Sequence, residues 1–348
     1  MTTASLTLRE RYQQLKAASP KLRIRNAAQQ LQVSELELLE LDLGEYVIRL
    51  EGDWKALLKD MHEVGYVMAL TRNEFAVHER KGIYDNVSFM KDGKMGVAVN
   101  EDIDLRFLMW DWAHAYMVRL HKPKGNLHGI QFFNKKGEAI HKIYLTEKSD
   151  PKAFHNLIER YKSKDQTSLV IIEQPAVKEP EVEAEKTDID EAAFQQEWLD
   201  LKDTHDFFPL LRKYELTRLQ ALNQAPENHA YQVSNNAIVQ MCELAAERAV
   251  PIMIFVQNTG CIQIHTGTIG RLIPMNNWFN IMDPEFNLHL DLDGISETWV
   301  VKKPTKDGIV TGLEVFDAQG NLIVYCFGKR KPGLPELTEW RNIIDQLK

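Results

Sequence analysis

The sequence predicts an α+β protein in which one domain occurs twice in tandem, each copy packing helices on a large antiparallel β-sheet. Three observations lead there. Segments with helical spacing of apolar residues alternate with runs of short strands punctuated by turn residues. An acidic, proline-bearing stretch divides the chain near its middle. The segments on either side of that stretch match one another in the same order.

The match is specific. Gly129-Ile-Gln-Phe-Phe-Asn-Lys-Lys-Gly137 corresponds to Gly312-Leu-Glu-Val-Phe-Asp-Ala-Gln-Gly320, a displacement of 183 positions. Both read as strand, polar turn ending in glycine, then strand. Asp104-Leu-Arg106 faces Asn287-Leu-His289 at the same displacement, and Asn73 and Gly82 face Asn258 and Gly267 at 185. Residues 173–191 are rich in glutamate, hold two prolines and have no aromatic residue. Such a stretch buries too little apolar surface to offset the entropy of ordering, so it reads as a tether. The expected boundaries are 1–170 for the first repeat, 171–192 for the linker and 193–348 for the second.

Taken in order, residues 8–18 and 24–41 have helical spacing, 65–70, 74–79 and 94–99 read as strands, and 152–161 closes the first half as a helix. In the second half 194–208 and 210–222 are helical, strands follow, and 337–347 closes. Helices flanking runs of short strands indicate α+β with antiparallel sheets.

A chain of 348 residues fits two domains, and 44% hydrophobic with 26% charged residues is ordinary for a globular protein. The net charge of -8 argues against a polyanion-binding surface. No apolar run is long enough for a membrane span, and the start of the chain lacks the basic-then-apolar pattern of a secretory leader. Cys242, Cys261 and Cys326 are scattered and odd in number, as in a reducing compartment, so the cytoplasm is the expected location. Residues 25–39 look like a helix-turn-helix with Ser34 as a cap. The would-be recognition helix opens Glu35-Leu-Glu37, which repels phosphates, so no nucleic-acid partner is expected. Dinucleotide, phosphate-loop, zinc-protease and serine-elbow fingerprints are absent.

Five features are candidates for chemistry. Trp198, Leu201, His205 and Phe208 recur at three- and four-residue steps, which puts His205 on the apolar stripe of a helix. It reads as a core histidine, or as a metal ligand presented where Pro209 forces the helix to kink or end. Thr217 and Gln220 form a capping box with Arg218 as the first helical residue, either solvated or holding an anion. Alternation places Arg106 beside Asp104 on one strand face, as an ion pair or as a functional cation. Lys302, Lys303 and Lys306, with Lys329, Arg330 and Lys331, form basic clusters, either solvated loops or carboxylate-recognition groups. His78 shares a strand face with Ala76 and reads as a surface or structural histidine.

Together these residues resemble the bacterial hemin-degrading factors, the cytoplasmic haem-utilisation proteins of the HemS and HmuS type. The resemblance covers nearly the whole chain. It is carried by Thr71-Arg-Asn-Glu-Phe-Ala-Val-His-Glu79, Asp104-Leu-Arg106, Gly129-Ile-Gln-Phe-Phe133, His205 with Phe207-Phe208, Leu216-Thr-Arg218, Ile252-Met-Ile-Phe255, Gly260-Cys-Ile-Gln263 and Lys303-Pro-Thr-Lys-Asp-Gly308. It implies a haem held between second-half helices and a sheet. His205 matches the axial iron ligand, and Arg106 the distal arginine reaching the other haem face. Arg218, Lys303 and Arg330 match the groups that hold the propionates, and His78 a histidine proposed to serve haem in the first half. Phe327 stands where the family pattern has a tyrosine hydroxyl, and Tyr325 where it has a glutamine, so the phenol is displaced along one strand face. The implied activity is acceptance of imported haem, with the inner-membrane haem importer as partner, followed by oxidative ring opening that uses an outside electron donor. The alternative is a carrier that hands on intact haem. A monomer and a homodimer are both compatible.

Overall fold

The structure is a computed structural model and describes residues 6–122, 125–173, 189–331 and 333–347. Most of the expected tether, 174–188, lies outside the described residues. The first half runs α1 (Leu8–Ala18), α2 (Ile24–Leu31), α3 (Glu35–Glu40), β1 (Val47–Leu50), α4 (Trp54–Asp60), β2 (Gly65–Arg72), β3 (Ala76–Ile83), β4 (Val87–Phe89), β5 (Met95–Val99), β6 (Asp104–Leu108), β7 (His114–Lys122), β8 (Gly125–Phe133), β9 (Ala139–Ser149) and α5 (Pro151–Tyr161). The second half repeats the series as α6 (Glu191–Leu199), α7 (Phe207–Lys213), α8 (Arg218–Asn223), β10 (Ala230–Val233), α9 (Ala237–Glu247), β11 (Ile252–Gln257), β12 (Cys261–Gly267), β13 (Leu272–Met275), β14 (Trp278–Met282), β15 (Phe286–Asp291), β16 (Glu297–Thr305), β17 (Gly308–Phe316), β18 (Leu322–Gly328) and α10 (Thr338–Ile344).

The duplication extends to strand order and register. Strands run β1-β7-β8-β9-β2 in the first copy and β10-β16-β17-β18-β11 in the second. All are antiparallel: Gly129 pairs with Tyr144, and Gly312 with Phe327. A Cβ on Gly312 would lie 2.7 Å from the Phe327 ring, and one on Gly129 would meet the Ile143 carbonyl oxygen and the Tyr144 ring, the latter at 2.5 Å, so neither position admits a side chain. The predicted helix 24–41 is two helices. Gln32 turns left-handed at φ 57°, and Ser34 then caps α3 in a capping box with Glu37. The helix-turn-helix look is therefore real in outline. Glu35, its supposed reading end, is instead buried in a salt bridge with Lys142.

The chain divides into two compact units, and they do not follow the halves cleanly. Unit 1 holds residues 1–71, 81–177 and 258–261; unit 2 holds 72–80, 178–257 and 262–348. Each unit thus borrows one strand-turn segment from the other half. Asn73 and Asn258 sit at equivalent places in those segments and make equivalent bonds. In unit 2, Asn73 Nδ2 donates to the Ile323 carbonyl at 2.7 Å while its Oδ1 accepts from the Ala76 amide. In unit 1, Asn258 Nδ2 donates to the Ile140 carbonyl at 2.8 Å while its Oδ1 accepts from the Cys261 amide.

Helices cover both faces of each main sheet. In unit 1, Leu57, Leu58, Leu157 and Ile158 from α4 and α5 pack on Val67, Ile130 and Ile143, while Leu36 and Leu39 of α3 pack with Val47, Val118 and Phe133. In unit 2, Ile238 and Met241 of α9 and Trp340 of α10 meet Ile252, Leu313 and Val324. Phe194, Trp198, Phe207 and Leu210 from α6 and α7 meet Trp299, Val301 and Phe316.

The unit 1 core also holds a polar chain. Tyr84 Oη is 2.6 Å from His141 Nε2, His141 Nδ1 is 2.9 Å from Thr71 Oγ1, and that hydroxyl reaches Cys261 Sγ at 3.5 Å. All four side chains are buried. Their counterparts in unit 2 are Ile269, Val324, Val256 and Ala76, all apolar and buried. The fold therefore does not need the polar chain, but its members need one another. His141→Val should cost about 1–3 kcal/mol by leaving two buried hydroxyls without their partner. Replacing all four positions with the unit 2 set (Tyr84→Ile, His141→Val, Thr71→Val, Cys261→Ala) should recover much of that. Thermal melts of the two variants check it, and a quadruple variant less stable than the single one contradicts it.

Acid sensitivity follows from buried histidines. Burial pushes His141 and His265 down to about 3. Burial and the neighbouring His265 also hold His78 well below its ordinary value. The unfolded chain binds protons near pH 6.5 that the folded one refuses, so stability falls as pH drops below 6.5 towards the folded values. Each histidine contributes a slope of about 1.4 kcal/mol per pH unit in that window. Urea midpoints at pH 7 and pH 5 should differ accordingly, and a flat profile would refute the neutral assignment.

Candidate functional site

The candidate residues of the second half converge within unit 2. His205 differs from expectation. No helix runs through 194–208: α6 ends at Leu199, Thr204–Asp206 form a 3-10 turn, and α7 starts at Phe207. Pro209 lies in the first turn of α7, where a missing N–H costs nothing, so it starts a helix and does not break one. His205 accordingly leaves the apolar stripe, with its side chain 91% exposed. Asp203 caps the turn. Its Oδ1 accepts from the His205 amide at 2.9 Å and lies 2.6 Å from His205 Nδ1, which leaves Nε2 facing solvent. The amide bond is the first cause holding the Asp203 carboxyl below its usual range, and the nearby Arg330 guanidinium adds to it.

Arg218 and Lys303 are not solvated. Arg218 opens α8 behind the expected Thr217–Gln220 capping box. Its Nε and Nη2 each donate to Glu314 at 2.6 Å, a bidentate pair with the carboxylate fully buried. Lys303 lies within β16, not in a loop, and donates to Glu314 Oε1 at 3.0 Å. Burial would raise Glu314, but the two cations hold it ionised, well below the carboxylate range. Burial pulls Lys303 down to about 8. Deleting the carboxylate would strand two buried cations at a cost of about 3–5 kcal/mol. The group of two cations and one carboxylate keeps one net positive charge.

Aromatic rings surround that charge. The Arg218 guanidinium is 5.5, 5.7 and 5.6 Å from the ring centres of Phe207, Phe208 and Tyr325, and Lys303 Nζ is 4.3 Å from Phe207. Tyr325 stacks on Phe255 at 4.5 Å, and Phe327 meets Phe255 edge-on at 5.6 Å. Tyr325 and Phe327 are half-buried on one face of β18. Phe208, though apolar, is half-exposed. Unit 2 thus offers an open imidazole, an aromatic surface and a buried cationic end. Those features suit a flat aromatic ligand that carries carboxylates and a metal with a free axial position. Among the described residues no cluster of three or more His, Cys, Asp or Glu could hold a bare metal ion.

The two first-half candidates fall in different units. Arg106 in unit 1 is one-third exposed and makes the expected ion pair with Asp104. His78, expected on the surface or in a structural role, is a core residue of unit 2. Its ring lies 4.9 Å from that of Phe286, and neither nitrogen has a hydrogen bond. A haem contact through His78 has no open ring nitrogen to rest on, because both faces of β3 are covered at that point. Sequence reasoning missed Glu314 and Asp203. A lone glutamate inside the apolar run Gly308–Phe316 was the available signal for the first. For the second it was the Asp203–Asp206 spacing of a capping box.

Comparison with known proteins identifies the family. The family model described as the haemin-degrading HemS/ChuX domain matches residues 32–161 and again 215–347. The hemin transport protein HmuS of Yersinia pestis is 39% identical over 98% of this chain and 97% of its own length. The crystal structure of holo-PhuS, a haem-binding protein from Pseudomonas aeruginosa, aligns with TM-score 0.93 at 44% identity and covers 97% of each chain. The structure of ChuS, described as an Escherichia coli haem oxygenase, aligns with TM-score 0.85 at 34% identity over 97% of this chain and 98% of that one. The chain, with two copies of the domain and full-length relatives, belongs to the haemin-degrading HemS/ChuX family.

Proposed function

We propose that this protein receives imported haem on unit 2 and opens the ring oxidatively to release iron. The observation that carries the reading is the exposed His205 imidazole beside an aromatic surface that ends at Arg218 and Lys303. His205 ligates the iron through Nε2. Arg218, Lys303 and Arg330 hold the propionates, and Phe207, Phe208, Phe255, Tyr325 and Phe327 cover the macrocycle and exclude water. Haem itself supplies the oxygen chemistry, with electrons from an outside donor. Arg106 is assigned to the reaction on the family resemblance alone, as a cation that would offset the negative charge developing on oxygen. The inner-membrane haem importer is the proposed source, and the cytoplasm the proposed location. ChuS, described as a haem oxygenase, favours ring opening. HmuS, described as a transport protein, favours the second reading, a carrier that hands on intact haem.

One experiment separates the two. The haem complex is given a physiological reductant and oxygen, with catalase present, and its Soret band is followed. Decay of the band supports ring opening, and a stable band supports a carrier. Arg106→Ala should then retain most haem binding and lose most of the decay rate. Unchanged decay with collapsed affinity contradicts the assigned role.

His205→Ala should change the ferric spectrum and speed haem loss, with residual binding through Arg218 and Lys303. The variant should fold normally, since the side chain is 91% exposed. An unaltered ferric spectrum with intact affinity shows that another residue ligates the iron.

A further inference from the structure

The geometry points to Asp203 as the residue that sets the ring orientation, tautomer and donor strength of His205 towards a bound iron. This rests on the proposed ligation by His205. One oxygen, Asp203 Oδ1, accepts from both the amide and the ring Nδ1 of His205, at 2.9 and 2.6 Å. Backbone and imidazole are thus fixed by the same atom. The carboxylate only accepts, so Nδ1 carries the proton and Nε2 presents its lone pair outward.

Asp203 is itself held. Its own amide donates to Asp206 Oδ2 at 3.0 Å, closing a capping box around the 3-10 turn. Its backbone is extended while that of Phe207, just past the turn, is helical, so the turn projects the ring and its partner together. Phe207 then runs directly into the buried core of α7. The exposed histidine is therefore not a loose surface group. It is mounted on a capped turn whose far end is anchored by packing.

The chemical consequence concerns the iron. A carboxylate accepting the second ring proton makes imidazole a stronger donor, and a stronger axial donor favours the ferric state and oxygen activation. Asp203 is thus a positioning residue for the proposed reaction.

The test uses the full-length protein loaded with haemin and compares Asp203→Asn with wild type. The variant should show a higher iron midpoint potential by spectroelectrochemistry. Its ferrous iron–histidine stretching band should move to lower frequency in resonance Raman spectra. Haem affinity should fall about tenfold. Asp206→Ala is the control: it removes the other half of the capping box and leaves the ring bond, so the potential and the band should stay at their wild-type values. If the potential and band are unmoved in Asp203→Asn while His205→Ala still changes the spectrum, this inference fails and the ligation stands. If His205→Ala leaves the spectrum unchanged as well, the ligation reading itself fails. Equal shifts in Asp203→Asn and Asp206→Ala would show that the turn matters and the ring bond does not, which also overturns the proposal.

Discussion

One carboxylate holds the candidate site together. Glu314 sits in the middle of β17 with no solvent, and a lone charge there is costly unless paired. Its partners come from separate elements, Arg218 at the start of α8 and Lys303 on β16. Satisfying Glu314 therefore fixes how α8 lies over the sheet. It also fixes where the Arg218 guanidinium lies among Phe207, Phe208 and Tyr325. The arrangement works against the helix itself, since the start of a helix favours anions, not an arginine. A cation kept there against that preference, and held by a buried acid, is spending stability on position.

The two copies make the contrast visible. Glu35 and Arg218 occupy the same place, each the first residue of a helix behind a capping box. In the first copy the helix start carries the acid and β9 carries the cation, Lys142. In the second copy the helix start carries the cation and the strand carries the acid. Gln131 stands at the counterpart of Glu314 and donates to Tyr144 at 2.9 Å. The first arrangement is neutral and agrees with the helix dipole. The second keeps a net positive charge and an open aromatic side. One repeated framework thus carries a neutral ion pair in one copy and a net positive charge beside aromatic rings in the other.

Much of this was legible in the residues. The glycine-ended turns at Gly137 and Gly320, the capping box before Arg218 and the alternation around Arg106 are local patterns with local causes. The duplication was legible because strand order needs only sequence order to be read. The environment of His205 was misread because Trp198, Leu201 and Phe208 keep helical spacing across a break. That break is set by Asp203, and Pro209 is harmless once a helix begins at Phe207. The burial of Lys303 and His78 depends on what packs from distant strands, such as β17 for the first and β15 for the second. No local window contains that information.

The interlaced chain path has a kinetic side. Unit 1 is nearly complete in sequence by residue 177, yet it owns Asn258–Cys261 as well. Until that turn arrives, the Leu108 amide and the Trp112 indole lack the Gly260 carbonyl they share, and the Ile140 carbonyl lacks Asn258. On the ribosome, where the chain emerges residue by residue from the amino end, the first unit must wait with those groups open until residue 261 is out. Until then unit 1 has a slot of defined chemistry that no residue before 258 fills. A second nascent chain on the same message carries the matching turn, so crowded polysomes are where this architecture is most exposed to exchanging segments between molecules.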